Sequence, residues 1–219
     1  RSLSSAASDV YKRQEVKSDF IKQIDFLSFF GAKVVGGAET GNSIHGVYNK
    51  ALNERKSASD KIWKNLTNGL NELGNISTNE YGIKLSYHHH AGTMIETMDE
   101  VDRLLNETDD KYVTLNYDCG HFYLAKEDPE KALEKYISRT SHIHFKDVRD
   151  KIFKKLHDEN LSFLEAVKLG VFTVPGDGNL NMRELAKVVH QSDYEGWIVV
   201  EAEQDLSLIH ISEPTRPMN

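Results

Sequence analysis

Histidines and carboxylates sit where short apolar runs end in this chain. GIKLSYHHH closes on His88, His89 and His90, and KYVTLNYD closes on Asp118, with His121 three residues on. TSHIHFKDV carries His142 and His144, and WIVVEAE carries Glu201 and Glu203. Side chains repeat every two residues along a strand, so His88 and His90 share a face while His89 takes the other. By the same rule His142 pairs with His144, and Glu201 with Glu203. Each signal alone has a plain alternative. Asp118 can open a turn with His121 packed beside it, a strand histidine is often structural, and a histidine run meets metal by accident. A carboxylate next to WIVV, however, is costly to bury unless it is paired or metal-bound. Together, one Asp, one His and one Glu from successive strand ends are the oxygen and nitrogen set of a divalent cation. The set does not distinguish Mn2+, Co2+, Mg2+ and Zn2+, and its rival is a hydrogen-bonded cluster without metal.

The elements that must position these groups alternate regularly. Phe20, Ile21, Ile24, Leu27 and Phe30 recur at helical spacing before Gly31, and AKVVGGAE follows as a strand ending in Glu39. Ile62, Leu66, Leu70 and Leu73 predict a helix ending near Gly74. Thr97 and Glu100 form a capping box ahead of Met98, Val101, Leu104 and Leu105. Asp128 caps a helix with Pro129 at its first position, where the missing N–H costs nothing. Shorter helices are expected near 161–169 and 182–191. Helices between successive strands imply a parallel sheet. Polar groups at the C-terminal ends of several strands favour a TIM (β/α)8 barrel over an open doubly wound sheet. A full barrel has eight strands in roughly 250 residues; the five here read as about strands 4–8.

Composition sets the limits. The 219 residues are 39% hydrophobic and 28% charged, with a net charge of -7, ordinary for one globular domain and poor for a nucleic-acid surface. Mean hydropathy is -0.53, and no apolar run approaches the ~18 residues of a membrane helix. Cys119 is the only cysteine, so no intrachain disulfide forms and a reducing cytoplasm is expected. Residues 1–14 (RSLSSAASDVYKRQ) and the tail from about Leu206 (LSLIHISEPTRPMN) resemble translated sequencing-adapter read-through. A partial barrel domain is therefore expected over 15–205, with irregular or weakly packed ends at 1–14 and 206–219.

YHHHAGTMIET, LNYDCGHF, SHIHFKDVR, SFLEAVKLGVFTVPGDGNL and YEGWIVVEAEQD together resemble the inosose dehydratase family. That family lies in the xylose-isomerase-like TIM-barrel superfamily, beside sugar epimerases and endonuclease IV. The DxGH, HxHxKD and VVE patterns belong to the superfamily; GVFTVPGDG and WIVVEAEQD point to the dehydratases. The resemblance implies that Asp118, His144 and Glu201 are metal ligands. The family's fourth ligand is commonly a Glu at the end of the fifth strand, where this chain has His88; either His88 replaces it or Glu96 reaches back. Manganese or cobalt is the expected metal.

The implied reaction is loss of water from a cyclic polyhydroxy ketone through a metal-stabilised enediolate. It needs a general base and an acid, with Glu96, His121 and His90 as candidates and Lys146 and Arg149 as groups that would hold substrate oxygens. A keto-sugar isomerase or epimerase would use the same enediolate. A non-catalytic sugar-binding barrel or an inactive fragment is the alternative from another class. The loop 173–179 (TVPGDGN) lacks the GxxxxGK[ST] pattern of a phosphate loop.

Overall fold

The computed structural model describes residues 10–204. Helix α1 (Val10–Phe29) leads to strand β1 (Val34–Gly37), and α2 (Asp60–Tyr81) to β2 (Lys84–His88). Then come α3 (Met98–Glu107), β3 (Val113–Asp118), α4 (Cys119–Leu124), α5 (Pro129–Tyr136) and β4 (Thr140–Phe145). The chain finishes with β5 (Asp147–Val148), α6 (Asp150–Asp158), α7 (Phe163–Lys168), β6 (Phe172–Thr173), α8 (Met182–Gln191) and β7 (Ile198–Val200). Five strands pair in parallel in the order β1-β2-β3-β4-β7, and β5 and β6 form a small antiparallel pair. The five long strands are those read from the sequence, and they curve as an open half-barrel with β1 and β7 as its edges.

Alternation along the strands separates two faces. Leu85, Leu115 and Ile143 point outward into one apolar cluster with Leu70, Leu104, Leu133 and Leu185 of the covering helices. Gly36, His88, Asn116, His142 and His144 face the other way, into a cleft of about 690 Å3. The β3–β4 ladder carries one irregularity. Leu115 pairs with Thr140 but Asn116 pairs with His142, so Ser141 is an extra residue on β4.

Local signals explain most element ends. Thr97 Oγ1 accepts the Glu100 amide while Glu100 Oε2 accepts the Thr97 amide, closing the expected capping box. Asp128 accepts the amides of Glu130 and Lys131 with Pro129 at the first helical position. Two expectations fail. Helix α2 runs through Gly74 and stops at Gly82, whose φ of 67° suits the left-handed C-cap. Gly74 instead lets the Tyr112 carbonyl approach α2, where a Cβ would collide with it. The run TSHIHFKDV breaks at Lys146 into β4 and β5, and α4 and α6 were not anticipated. At the N-terminal end, residues 10–14 are helical, with Arg13 and Gln14 exposed and Arg13 donating to Glu72. The rest of the expected foreign ends, 1–9 and 206–219, lies outside the described residues.

Candidate metal centre and active site

Asp118 is the pivot. As the last residue of β3 and the N-cap of α4, it is fully buried, and its Oδ1 accepts the amides of Gly120 and His121. Its other oxygen, Oδ2, makes no hydrogen bond. Around that oxygen stand His88 Nε2 and His144 Nδ1, each 3.5 Å away, and His121 Nε2 at 3.6 Å. His88 Nε2 and His144 Nδ1 are likewise buried without a hydrogen bond. Glu201 closes the ring, its Oε2 lying 3.3 Å from His144 Nδ1. Strand ends thus deliver two overlapping sets of donor atoms that share Asp118: Asp118, His144 and Glu201, and His88, Asp118 and His121.

Lys146 lies in the middle of the acidic side. Its Nζ is 3.4 Å from Asp118, 3.0 Å from Glu201 and 2.6 Å from Glu203. It also meets His121 Nε2 at 3.1 Å. The side chain is 1% exposed, so this ammonium is neutralised by carboxylates rather than by water. Burial opposes its charge, but Asp118, Glu203 and Glu201 outweigh it and raise the pKa. Burial would raise the Asp118 carboxyl too, yet Lys146 and the histidines hold it well below the usual range. Glu201 falls to about 2 against its burial, through His144 and Lys146. His144 rises to about 9, since Asp118 and Glu201 overcome its desolvation.

The histidine run divides as alternation requires. His89 points away, its ring 3.8 Å from that of Phe122 and its Nε2 accepting the Asp118 amide; burial lowers it to about 3. His88 and His90 both turn to the cluster. The His90 and His121 rings lie 3.7 Å apart, and burial pushes both imidazoles well below their usual pKa. Glu203 completes a second donor group with His90 and His121.

Two expected residues are elsewhere. Glu96 is held by Arg55 at 2.8 Å and by the Gly92 amide at 2.6 Å, so its carboxylate braces the β2–α3 loop instead of the cluster. Arg149 is also a brace. It donates to the Gly170 carbonyl, Thr173 Oγ1 and Asp177, and so holds the 173–177 loop. Asp147 does similar work unnoticed in the sequence: its buried carboxylate accepts the amides of Val148, Gly176, Gly178 and Leu180. Glu203 was seen to share a face with Glu201 but given no role, and Asn116 was passed over. Asn116 shares a face with an anticipated group two residues away, Asp118, which is the signal that would have found it. Asn116 Nδ2 lies 3.3 Å from His144 Nε2.

This geometry has relatives. The inosose dehydratase of Clostridium botulinum (strain Alaska E43 / Type E3) is 41% identical over 196 residues, 89% of this chain and 65% of that protein. The inosose dehydratase of Geobacillus thermodenitrificans (strain NG80-2) is 46% identical over 193 residues, 88% of this chain and 64% of that protein. The chain therefore spans just under two thirds of the length of these relatives. Among solved structures, a probable 3-DHS dehydratase, AsbF from Bacillus anthracis, superposes with a TM-score of 0.70 at 14% identity, covering 94% of this chain and 70% of that one. The IOLI protein with a bound zinc atom gives 0.67 at 17% identity, covering 93% and 66%. A sequence profile described as xylose isomerase-like TIM barrel matches residues 2–216. With nearly the whole sequence matched and the strand-end cluster in place, this chain belongs to the xylose isomerase-like TIM barrel family.

Proposed function

We propose that the protein is a hydro-lyase that removes water from 2-keto-myo-inositol (scyllo-inosose), giving a trihydroxycyclohexane-1,2-dione. We further propose that Asp118, His144, Glu201 and His88 hold its divalent metal. The likeness to inosose dehydratases, 41% and 46% identical over most of the chain, supports the reaction. One observation carries the metal: the buried atoms Asp118 Oδ2, His88 Nε2 and His144 Nδ1 have no hydrogen-bond partner yet converge. Ligand atoms bound at 2.0–2.2 Å around one tetrahedral ion sit about 3.4 Å apart. The separations from Asp118 to His88 and His144 and from His144 to Glu201, 3.5, 3.5 and 3.3 Å, fit that spacing. His88 stands in a separate donor group with Asp118 and His121 and would draw toward His144 and Glu201 on binding. His88, not the Arg55-bound Glu96, is the fourth donor in this reading. The zinc in the IOLI structure supports a divalent ion of this kind; manganese or cobalt is our assignment.

When bound, the cation would supply Lewis-acid stabilisation of the enediolate that forms beside the ketone. The chain's own groups do the rest. Lys146 donates to substrate oxygens. His121, with that ammonium on its Nε2, returns a proton to the departing hydroxyl. His90 stacks on His121 and holds its ring. We read the strands as the fourth to eighth of a barrel, supported by the two unpaired edges and the partial coverage of the relatives. We assign the protein to the cytoplasm, where the buried Cys119 thiol stays reduced.

The test is Glu201→Gln, with EDTA treatment of the unchanged protein alongside. Both should abolish turnover of 2-keto-myo-inositol, by at least about 100-fold for the substitution. Activity surviving both refutes the metal mechanism. Analysis of products separates the readings: dione and water mark a dehydratase, a rearranged keto sugar an epimerase.

A further inference from the structure

A histidine outside the strand ends also reaches the site. The loop after β1 folds over the mouth of the half-barrel and is stitched there, with the Ile44 amide donating to the Gly92 carbonyl and the Leu52 amide to that of Leu161. Gly92 makes the stitch fit: its φ is 78°, and a Cβ there would press on the His45 backbone at 3.2 Å. The loop so held sets the His45 ring 4.9 Å from that of His90 and 6.2 Å from that of Phe163.

The tautomer of His45 follows from its neighbours. Ser43 Oγ donates its single proton to the Thr40 carbonyl at 2.9 Å. It must therefore accept at its other contact, 2.9 Å from His45 Nδ1, so Nδ1 carries the hydrogen. The lone pair is then on Nε2, which has no hydrogen-bond partner among the described residues. A base oriented by a second group and placed beside the site is the arrangement that proton abstraction needs, and the His45 ring lies 4.9 Å from that of His90. Burial keeps the imidazole below its usual pKa, more than Glu203 and Glu39 raise it, which favours the neutral form. His90 and His121 differ in their surroundings: His90 Nδ1 meets the Ala91 carbonyl, Lys146 stands on His121 Nε2, and both rings are buried against one another.

We propose that His45 is a further catalytic residue, the general base that takes the proton from the carbon next to the substrate's ketone. This rests on the dehydratase reading above. In the step the C–H bond breaks, and Nε2 forms an N–H bond with the proton. The released electron pair becomes the C=C bond of the enediolate, and the carbonyl oxygen takes the negative charge. The enediolate then re-forms its C=O as a C=C forms toward the next carbon and the C–O bond there breaks. The oxygen leaves as water with the Nδ1 proton of His121, which Lys146 replaces at Nε2. His45 finally gives its proton to solvent, from which Lys146 is recharged.

The experiment uses the protein in the longest form its gene encodes. His45→Asn keeps a donor toward Ser43 but has no basic nitrogen at the site. It should lower kcat by at least about 100-fold, with KM and bound metal within about three-fold of the parent. Exchange of the substrate's α-hydrogen in D2O, followed by NMR, should fall in parallel. His45→Gly should regain part of that exchange on adding imidazole, which a structural role would not allow. Ser43→Ala, which frees the tautomer, should lose about 10-fold in kcat. Undiminished α-exchange in folded, metal-loaded His45→Asn overturns the base assignment and leaves the dehydratase reading intact. A parent that neither exchanges nor dehydrates the ketone overturns both.

Discussion

Two buried aspartates at neighbouring strand ends are treated in opposite ways. Asp147 gives both oxygens to backbone amides, four in all, and thereby closes the loop that carries Gly176, Gly178 and Leu180. Gly178 is pressed so close to this carboxylate that no Cβ would fit. Asp118 spends Oδ1 on two amides and leaves Oδ2 among imidazoles and an ammonium, with no hydrogen bond of its own. Satisfying a buried carboxylate fully makes it a structural part; leaving half of it unsatisfied is a cost that folding alone does not explain. The orphaned oxygen marks the site.

The largest test of this contrast is Asp118→Asn. The variant keeps the cap to α4 but loses the charge facing the histidines, and metal affinity should fall by at least about 100-fold, the scale of a lost charged ligand interaction. Calorimetric metal titration measures it. Asp147→Ala should do the reverse: metal stoichiometry persists, while urea unfolding shows a loss on the order of 3 kcal/mol from the stranded amides. If Asp118→Asn costs more stability than Asp147→Ala, the contrast between the two aspartates is wrong.

A smaller effect sharpens the picture through pH. With a folded pKa of about 9, His144 is protonated at neutral pH in the metal-free protein, so a metal must displace a proton. Metal affinity should therefore climb between pH 7 and 9. Calorimetry in two buffers of different ionisation enthalpy should detect the released proton. Without metal, the His144 contribution to stability is complete below its unfolded pKa of about 6.5 and is lost as pH rises through about 9. Glu201, depressed to about 2, contributes above its unfolded value and loses it as pH falls through about 2. The smallest effect belongs to Arg149→Met. It should speed amide exchange at 173–177 yet change global stability by less than about 1 kcal/mol, because Asp147 still holds the loop.

Much of this was legible in the sequence, for a physical reason. Strand positions and facing follow from a period of two, and helix starts from caps such as Thr97 and Asp128, all local facts. The meeting of Asp118, His144 and Glu201, with His88 beside Asp118, follows once parallel strands are laid side by side. Several failures concern what a side chain meets far along the chain. Glu96 has the chemistry of a site residue, but Arg55 claims it. Gly74 looks like a helix stop, but what it accommodates is Tyr112. Asp147 and Arg149 stand in one motif with Lys146, and nothing local distinguishes a loop brace from a group that faces the cluster.

The extra residue on β4 has a consequence of its own. Leu115 points outward while its partner Thr140 belongs to the inward set, so the two strands begin their ladder out of phase. Ser141 absorbs the difference, held by a contact between its hydroxyl and that of Thr114. Beyond it, Asn116 and His142, then Asp118 and His144, stand side by side on the inner face. Without that correction Asp118 would lie beside Ile143, and His144 would sit one residue, about 3.3 Å, farther along the strand. Alignment of the cluster is thus entrusted to a serine that is no part of it, and a change at Ser141 can disarm the site while leaving every one of its members in the sequence.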